Sequence, residues 1–451
     1  MGPFVRGIPD MFHYWESQMI QDVVENSYIE VINPQSGFEA RKNGDLKFLI
    51  NGGDTFVNLG KSYIFFKFKL VGTAKKGADT LTTKLETDDK GKLSVVNAIA
   101  HSLFKSCEIR LNGQLITLGN TDYGYTAYMQ LMVSTSQEAQ DTYYHVVGWK
   151  KDIAGKMDDI AGGNTSFAYR RSNFFTHDDG VGEFIMKPHA GLCFQNKAII
   201  PGVSIEIKFT RHHNPAFFLM SPAKTEITEH AYNIEILEAK YEVQRYKTAS
   251  SFAEQFERML KEHNLSLTYN DSHIHTCTIP TSVANYSNEA LFRGIPPSRI
   301  MIAFVATDNY NGDWDKNPYS FHHFDIQNLR LLKNGLDYPT PPIETNFTTL
   351  PHSFMQAYNR VLMSMGADYN DQVLGLKPSE YANGFFFYSF LLAPDQESDS
   401  EAASMTLRPS QIKIEVRFSK QLTTSVQMIV YSESPSTVII DSLRRVVVTH
   451  R

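Results

Sequence analysis

The chain has 451 residues, too many for one ordinary domain and enough for two or three. Its 43 Lys plus Arg against 49 Asp plus Glu give a formal net charge of −6, and no basic stripe stands out, which argues against a direct grip on nucleic acid. Three dispersed cysteines (Cys107, Cys193 and Cys277), no CxxC and no apolar run of about 18 residues exclude a disulfide framework and a membrane-spanning helix, and fit a reducing compartment.

The 30 Phe and 22 Tyr, with many Val, Ile and Thr, favour strands. Met1-Gly2-Pro3-Phe4-Val5-Arg6 has no apolar signal-peptide core, so no secretory leader is expected, and Arg6 stands where a myristoylation motif has Ser or Thr. Residues 1–39 read as an N-terminal arm with an apolar pattern through Ile20, Val23 and Val24. A strand-like run follows at Ser62–Phe68, then a polar loop from Thr73 to Ser94. Asn112-Gly113 between apolar residues predicts a hairpin, because both turn positions need positive φ. A helix is expected from about Tyr123 to Val133, and Ser134–Glu183 reads as a long loop. Gly191–Phe194 leading to Ile199-Ile200-Pro201 reads as an aromatic strand ending in proline, and Ile205–Thr210 alternates with period two. Ser251 and Glu254 form a capping-box pattern that opens a linker helix to about His263, with Phe252, Phe256, Met259 and Leu260 on one face.

The landmarks then recur in the same order. Ser62–Phe68 has a counterpart in Ser298–Phe304, and the Asn112-Gly113 hairpin in Asn334-Gly335, again followed by a helical pattern from about Ser353 to Met365. Gly191 to Pro201 is matched by Gly384 to Pro394, a spacing of 10 in both, and Ile205–Thr210 by Ile414–Ser419. An internal repeat with many short strands and little helix predicts an all-β chain: two tandem eight-stranded antiparallel jelly-roll sandwiches, with a few short helices. The expected division is an arm at 1–39, a first jelly roll at 40–248, a linker helix at 249–264, a second jelly roll at 265–435 and a C-terminal arm at 436–451. The apolar runs Val438-Ile439-Ile440 and Val446-Val447-Val448 in that last arm need a partner strand, either in their own sheet or in a neighbouring subunit.

Chemistry is sparse. His273-Ile274-His275 has the His-x-His spacing of cupin metal sites but lacks the following Glu, so alternating strand histidines are the reading. His212-His213 and His322-His323 are adjacent pairs, whose side chains point to opposite strand faces. Asp308, Asp313, Asp315 and Asp325 around Trp314 match no EF-hand spacing and read as a solvated turn. There is no Gly-x-Ser-x-Gly, P-loop or GxGxxG. The expectation is therefore no enzyme, no cofactor, no metal and no catalytic residue.

Cys107-Glu108-Ile109-Arg110-Leu111-Asn112-Gly113 with its second Asn-Gly hairpin, the Ile205–Phe209 strand followed by His212-His213-Asn214-Pro215, and Asp308-Asn309-Tyr310-Asn311-Gly312-Asp313-Trp314 through Leu329-Arg330-Leu331 resemble double jelly-roll major capsid proteins. The flavour is that of Polinton (Maverick) elements and adintoviruses, with adenovirus hexon and the capsid proteins of large nucleocytoplasmic DNA viruses more distant. The resemblance covers roughly residues 40–435. It implies a major capsid protein that forms a homotrimer of pseudo-hexagonal outline, tiles an icosahedral shell around double-stranded DNA, meets penton and minor capsid proteins, and assembles inside the host cell. The competing reading is a tandem β-sandwich glycan-binding or adhesion protein, and an enzyme on a tandem jelly-roll scaffold is a more remote one; fold alone does not decide among them.

Overall fold

Period-two alternation sets the strands. In one strand Ile205, Ile207 and Phe209 are fully buried while Glu206 and Lys208 face outward; Ile412, Ile414 and Val416 repeat the pattern around Lys413 and Glu415. The computed structural model describes residues 21–35, 44–76, 79–83, 93–117, 121–160, 162–176, 179–221, 230–349, 352–366, 375–393 and 409–450.

The first sandwich comprises β1 (Val24–Ile32), β2 (Leu46–Ile50), β3 (Phe56–Lys76), β4 (Phe104–Leu111), β5 (Gln114–Leu115), β6 (Val181–Met186), β7 (Ile205–Arg211) and β8 (His230–Thr248). One sheet runs β1-β8-β3-β6 and the facing sheet β2-β7-β4-β5, all antiparallel. The second sandwich comprises β9 (Leu265–Ile279), β10 (Asn285–Gly294), β11 (Arg299–Ala306), β12 (Ile326–Lys333), β13 (Leu336–Glu344), β14 (Phe387–Leu391), β15 (Ser410–Phe418) and β16 (Val426–Ile440). Its sheets run β9-β16-β11-β14 and β10-β15-β12-β13, so each strand has a counterpart in the first. A further strand, β17 (Val446–His450), pairs with the end of β16. Aromatic side chains fill the cores: Phe66 lies 5.2 Å from Phe68 and 5.6 Å from Phe104, and Phe48 lies 5.8 Å from Tyr241.

The two Asn-Gly turns occupy equivalent places, joining β4 to β5 and β12 to β13. Their φ values agree: 45° and 82° at Asn112 and Gly113, 53° and 83° at Asn334 and Gly335. The Asn112 amide donates to the Ser204 carbonyl at 2.9 Å, and Ser204 N–H returns a bond to Asn112 Oδ1 at 2.8 Å. Asn334 does the same with Gln411, at 2.9 Å both ways. The Ser62 and Ser298 runs are likewise equivalent: the first lies within β3, and Ser298 directly precedes β11.

Two matches need correction. The strand equivalent to β14 is β6, which begins in the last three residues of the expected Ser134–Glu183 loop and runs past it; Gly191–Cys193 is a short 3-10 turn after it, and Pro394 lies outside the described residues. Burial of Leu192, Ile199 and Ile200 makes that stretch as apolar as a strand without making it one. The Asn turns also set Ile205 against Ile412, not Ile414, a shift of two that alternation cannot reveal. In this register the outward charges invert: Glu206, Lys208 and Glu108 stand where the second copy has Lys413, Glu415 and Arg330.

Residues 24–32, expected in the N-terminal arm, form β1, because β8 would otherwise leave its edge open. Residues 436–440 and 446–450, expected in the C-terminal arm, lie in β16 and β17; residues 1–20, 36–39 and 451 fall outside the described residues. Four longer helices are α1 (Tyr123–Ser134), α2 (Thr165–Phe174), α3 (Ser250–Glu262) and α4 (Met355–Ser364). The N-cap of the linker helix α3 lies two residues earlier than the expected Ser251: it is Ala249, and no side chain caps it. Phe252 and Phe256 pack on Phe56 at 6.3 and 5.4 Å, Leu260 is buried, and Met259 is 56 % exposed.

Candidate functional site

The chain builds a polar and aromatic seam between its two sandwiches, and that seam is the candidate site of its function.

α1 carries the aromatic part. Tyr128 stacks on Tyr319 of the second sandwich at 4.2 Å and 4°. Tyr125 packs against Tyr319, Tyr310 and Phe321 at 5.3 to 6.3 Å, and its hydroxyl donates to the Pro318 carbonyl at 3.0 Å. Tyr319 donates to Ser102 Oγ at 2.8 Å. A Cβ on Gly124 would sit 2.7 Å from the Tyr319 hydroxyl, so glycine is what lets the ring approach. Burial pushes the phenols of Tyr123, Tyr125, Tyr128 and Tyr319 up, so they stay neutral.

The charged part centres on one fully dehydrated pair. Arg170 and Asp152 form an ion pair at 2.8 Å with no exposure on either side. Arg170 also donates to the Val95 and Lys150 carbonyls, while Asp152 accepts from Asn164 at 2.8 Å and from Asn317 of the second sandwich at 3.1 Å. Asp158 accepts from Asn309 Nδ2 at 3.2 Å and the Asn317 amide at 2.7 Å. Lys151 pairs with Glu380 at 2.6 Å; its ammonium is held below the usual lysine range by burial, which Glu380 partly offsets.

A polar chain runs through the middle. His101 Nδ1 meets the Tyr123 hydroxyl at 2.9 Å, and His189 packs edge-on to His101 at 4.7 Å. His189 Nδ1 meets Gln130 Oε1 at 2.7 Å, and Gln130 Nε2 donates to Tyr431 on β16 at 2.8 Å. Tyr431 donates to Glu433 at 2.5 Å, and Glu433 pairs with Arg299 at 3.1 Å. Burial pushes His189 down to about 3, with help from Lys187; burial also lowers His101, with help from His189.

The histidines and aspartates singled out in the sequence serve packing. His273 and His275 share one face of β9, 4.3 Å apart, and His275 packs on Phe292. His212 stacks on Phe217 at 4.4 Å, and His323 on Phe347 at 4.0 Å. The Asp308–Trp314 stretch is a docking loop and not only a solvated turn: Asn214 Nδ2 donates to the Gly312 carbonyl at 3.3 Å, and the Ser221 amide to that of Trp314 at 2.8 Å. Tyr310 donates to Asp122 at 3.2 Å. Among the described residues no three His, Cys, Asp or Glu side chains form a metal-holding group. Among the described residues no helix is long and apolar enough to cross a membrane. A polar groove of about 460 Å³ lies over β10, β15 and β12, lined by Asn285, Ser287, Asn328, Arg330, Glu415 and Arg417.

Sequence reasoning missed the seam because its members are scattered from His101 to Glu433, and residues far apart in sequence leave no local pattern. Tyr123, Tyr125 and Tyr128 spaced along one helix were the available signal.

No family model matches the chain. The uncharacterized protein F54H12.2 of Caenorhabditis elegans is 21 % identical over 436 residues, spanning 95 % of this chain and 98 % of that protein. A chain in the 3.5 Å cryo-EM structure of the Sputnik virophage superposes with a TM-score of 0.65 at 12 % identity, covering 100 % of this chain and 93 % of its own. The mavirus major capsid protein gives 0.56 at 9 % identity over 100 % and 96 %, and the Faustovirus major capsid protein 0.54 at 10 % over 95 % and 93 %. The fold is therefore the double jelly roll, and its structural neighbours are viral major capsid proteins.

Proposed function

We propose that the chain is a major capsid protein of the Polinton (Maverick) or adintovirus kind. In this reading it works as a homotrimeric capsomer of pseudo-hexagonal outline that tiles an icosahedral shell around double-stranded DNA, together with penton and minor capsid proteins, assembled inside the host cell. The observation that carries the reading is the whole-length match of both sandwiches to a Sputnik virophage chain, with 100 % of this chain covered. The seam supports it physically. A shell subunit must keep its two sandwiches at one angle under load, and buried bonds between them, such as that from Asn317 to Asp152 beside the dry Asp152–Arg170 pair, tolerate little slippage. Three copies around a threefold axis present six sandwiches, a near-sixfold outline that closes without unsatisfied heterologous surfaces. The charge of −6 is modest and, with no basic stripe, suits a wall around DNA more than a DNA clamp.

Size exclusion with light scattering tests it: purified protein should run as three chains of 51.2 kDa, with electron microscopy showing hexagonal outlines or shells. A persistent monomer at micromolar concentration across salt and pH would overturn the reading. The polar groove above β15 favours one second reading, glycan binding. Saturable binding of a soluble glycan by a monomeric chain, lost in Arg417→Ala, would establish it instead.

A further inference from the structure

The duplicated fold holds an internal control for the polar groove. On the second sandwich one row of outward side chains crosses the β10-β15-β12-β13 sheet as Asn285, Arg417, Asn328 and Glu344. The strand register gives Asp45, Thr210 and Ser106 as the equivalent row on the first sandwich. Leu46 opposes Phe209 as Tyr286 opposes Val416, and Ser106 opposes Thr210 as Asn328 opposes Arg417. The first sandwich closes its row on itself: Lys208 pairs with Asp45 at 2.8 Å, and Lys47 pairs with Glu206 at 2.9 Å beside it. The second sandwich instead carries a guanidinium, with an amide, Asn285, where the first has the acid.

Arg417 stands exposed on that face and makes no ion pair or side-chain hydrogen bond among the described residues. Asn285 and Asn328 oppose it on its two neighbouring strands, and neither can neutralise it. Asn328 Oδ1 is buried and accepts from no group among the described residues, an unmet acceptor that a ligand hydroxyl would satisfy. The adjoining row is committed: Arg330 holds Asp337 through two bonds at 2.9 Å and Glu415 at 3.2 Å, and Lys413 holds Glu415 at 2.9 Å. That wall is fixed, which leaves Arg417 as the open cation of the groove. The groove's volume of about 460 Å³ falls within the range of small-molecule sites, about 300–1,000 Å³.

We propose that this groove binds a sugar acid, its single carboxylate on the Arg417 guanidinium and its hydroxyls on Asn328 Oδ1 and the carboxylates of Glu344 and Glu415. The planar fork of arginine matches one carboxylate through two parallel bonds. The two glutamates accept from hydroxyls and repel a ligand with many negative charges, which disfavours a polysulfated chain, a nucleic acid or an acidic peptide. The inference gives the groove a ligand class and is independent of the capsomer reading, since it asks nothing of the number of chains.

Calorimetric titration of the full chain at low salt, where an exposed charge pair is least screened, tests it. The probes are N-acetylneuraminate and D-glucuronate, with methyl glucoside, sodium sulfate and a short acidic peptide as comparisons. Three variants accompany the parent chain: Arg417→Ala, Arg417→Lys and Asn285→Asp. The last restores the acid of the first sandwich beside Arg417 with no change of size. Circular dichroism and thermal melting establish that each is folded, and light scattering reads its mass. The expected result is saturable binding of at least one sugar acid, weakened about tenfold or more in Arg417→Ala and in Asn285→Asp, and less in Arg417→Lys. No saturable binding of either sugar acid overturns the inference, as does binding that Arg417→Ala leaves unchanged. Tighter binding of methyl glucoside, sulfate or the acidic peptide than of both sugar acids also overturns it. An assembling chain that fails to bind leaves the capsomer reading standing, and a monomeric chain that binds as expected overturns that reading while supporting this one.

Discussion

Asn112 Nδ2 donates to the backbone carbonyl of Arg444 at 2.8 Å, joining the turn of the first sandwich to the last hairpin of the second across 332 residues of sequence. Arg444 adopts a left-handed φ of 62°, its Nε donates to the Pro201 carbonyl at 2.7 Å, and its Nη2 pairs with Glu257 on α3. One residue thus ties two sandwiches and the linker helix together. Arg444→Ala should lower stability by about 1–2 kcal/mol, since a charge-assisted bond to a carbonyl is lost while Glu257 remains half in solvent. Arg444→Lys should recover only part of it, because lysine cannot serve both partners with a fork. Urea midpoints of the three proteins decide this; equal midpoints would mean the clasp is decorative.

The buried pair makes a harsher prediction. Arg170→Met leaves Asp152 in a dry seam, where an uncompensated charge costs about 3–5 kcal/mol. The variant should express as insoluble or strongly destabilised protein. The double change Arg170→Met with Asp152→Leu should regain part of the loss. A double variant worse than the single would show that Asn164 and Asn317, which also need Asp152, dominate the site.

Duplication was legible from Asn112-Gly113, Asn334-Gly335 and the Ser62 and Ser298 runs, because positive φ and alternation are demanded locally and write themselves into short spans. The β6 strand was not, since its six residues sit amid polar insertions and only Phe184 and Met186 mark its inner face. The seam was illegible for a different reason: Tyr128 and Tyr319, or Asp152 and Asn317, acquire meaning only once the fold brings them together.

If the turns are equivalent, they should fail equally. Gly113→Ala and Gly335→Ala meet no atoms within 4 Å, so the cost is backbone strain alone at φ 82° and 83°, about 1–2 kcal/mol each. Thermal unfolding of both single variants should give similar shifts, and the double variant should be near their sum. A large loss in one and none in the other would mean the two turns bear different loads.

Acid should loosen the molecule. Burial holds His189 at about 3 and His212 and His275 at about 4, against an ordinary 6.5, and holds His101 well below that ordinary value too. These groups are neutral when folded and charge when unfolded, so their stabilising effect is full above about pH 6.5 and drains away as pH falls through the folded values. Each such histidine contributes a slope of up to about 1.4 kcal/mol per pH step in that window. Chemical denaturation at pH 7.5 and pH 5 should show the loss, and His189→Gln should flatten it. A pH-independent midpoint would mean the histidines are not sealed from water.

Truncation distinguishes a structural C-terminus from a reaching one. Val438 and Ile440 are fully buried and pair with Leu267 and Leu265 of β9, so removal of residues 436–451 strips core aliphatics and should abolish soluble folding. Removal of 441–451 alone deletes β17 and the Arg444 clasp but spares that core. Val446 and Val448 are half-buried against it and Val447 is 58 % exposed, the alternation of a strand closing its own sheet. This shorter deletion should leave a folded, less stable chain that still assembles by light scattering. A folded chain that had become monomeric would show instead that Val447 and its neighbours reach another subunit.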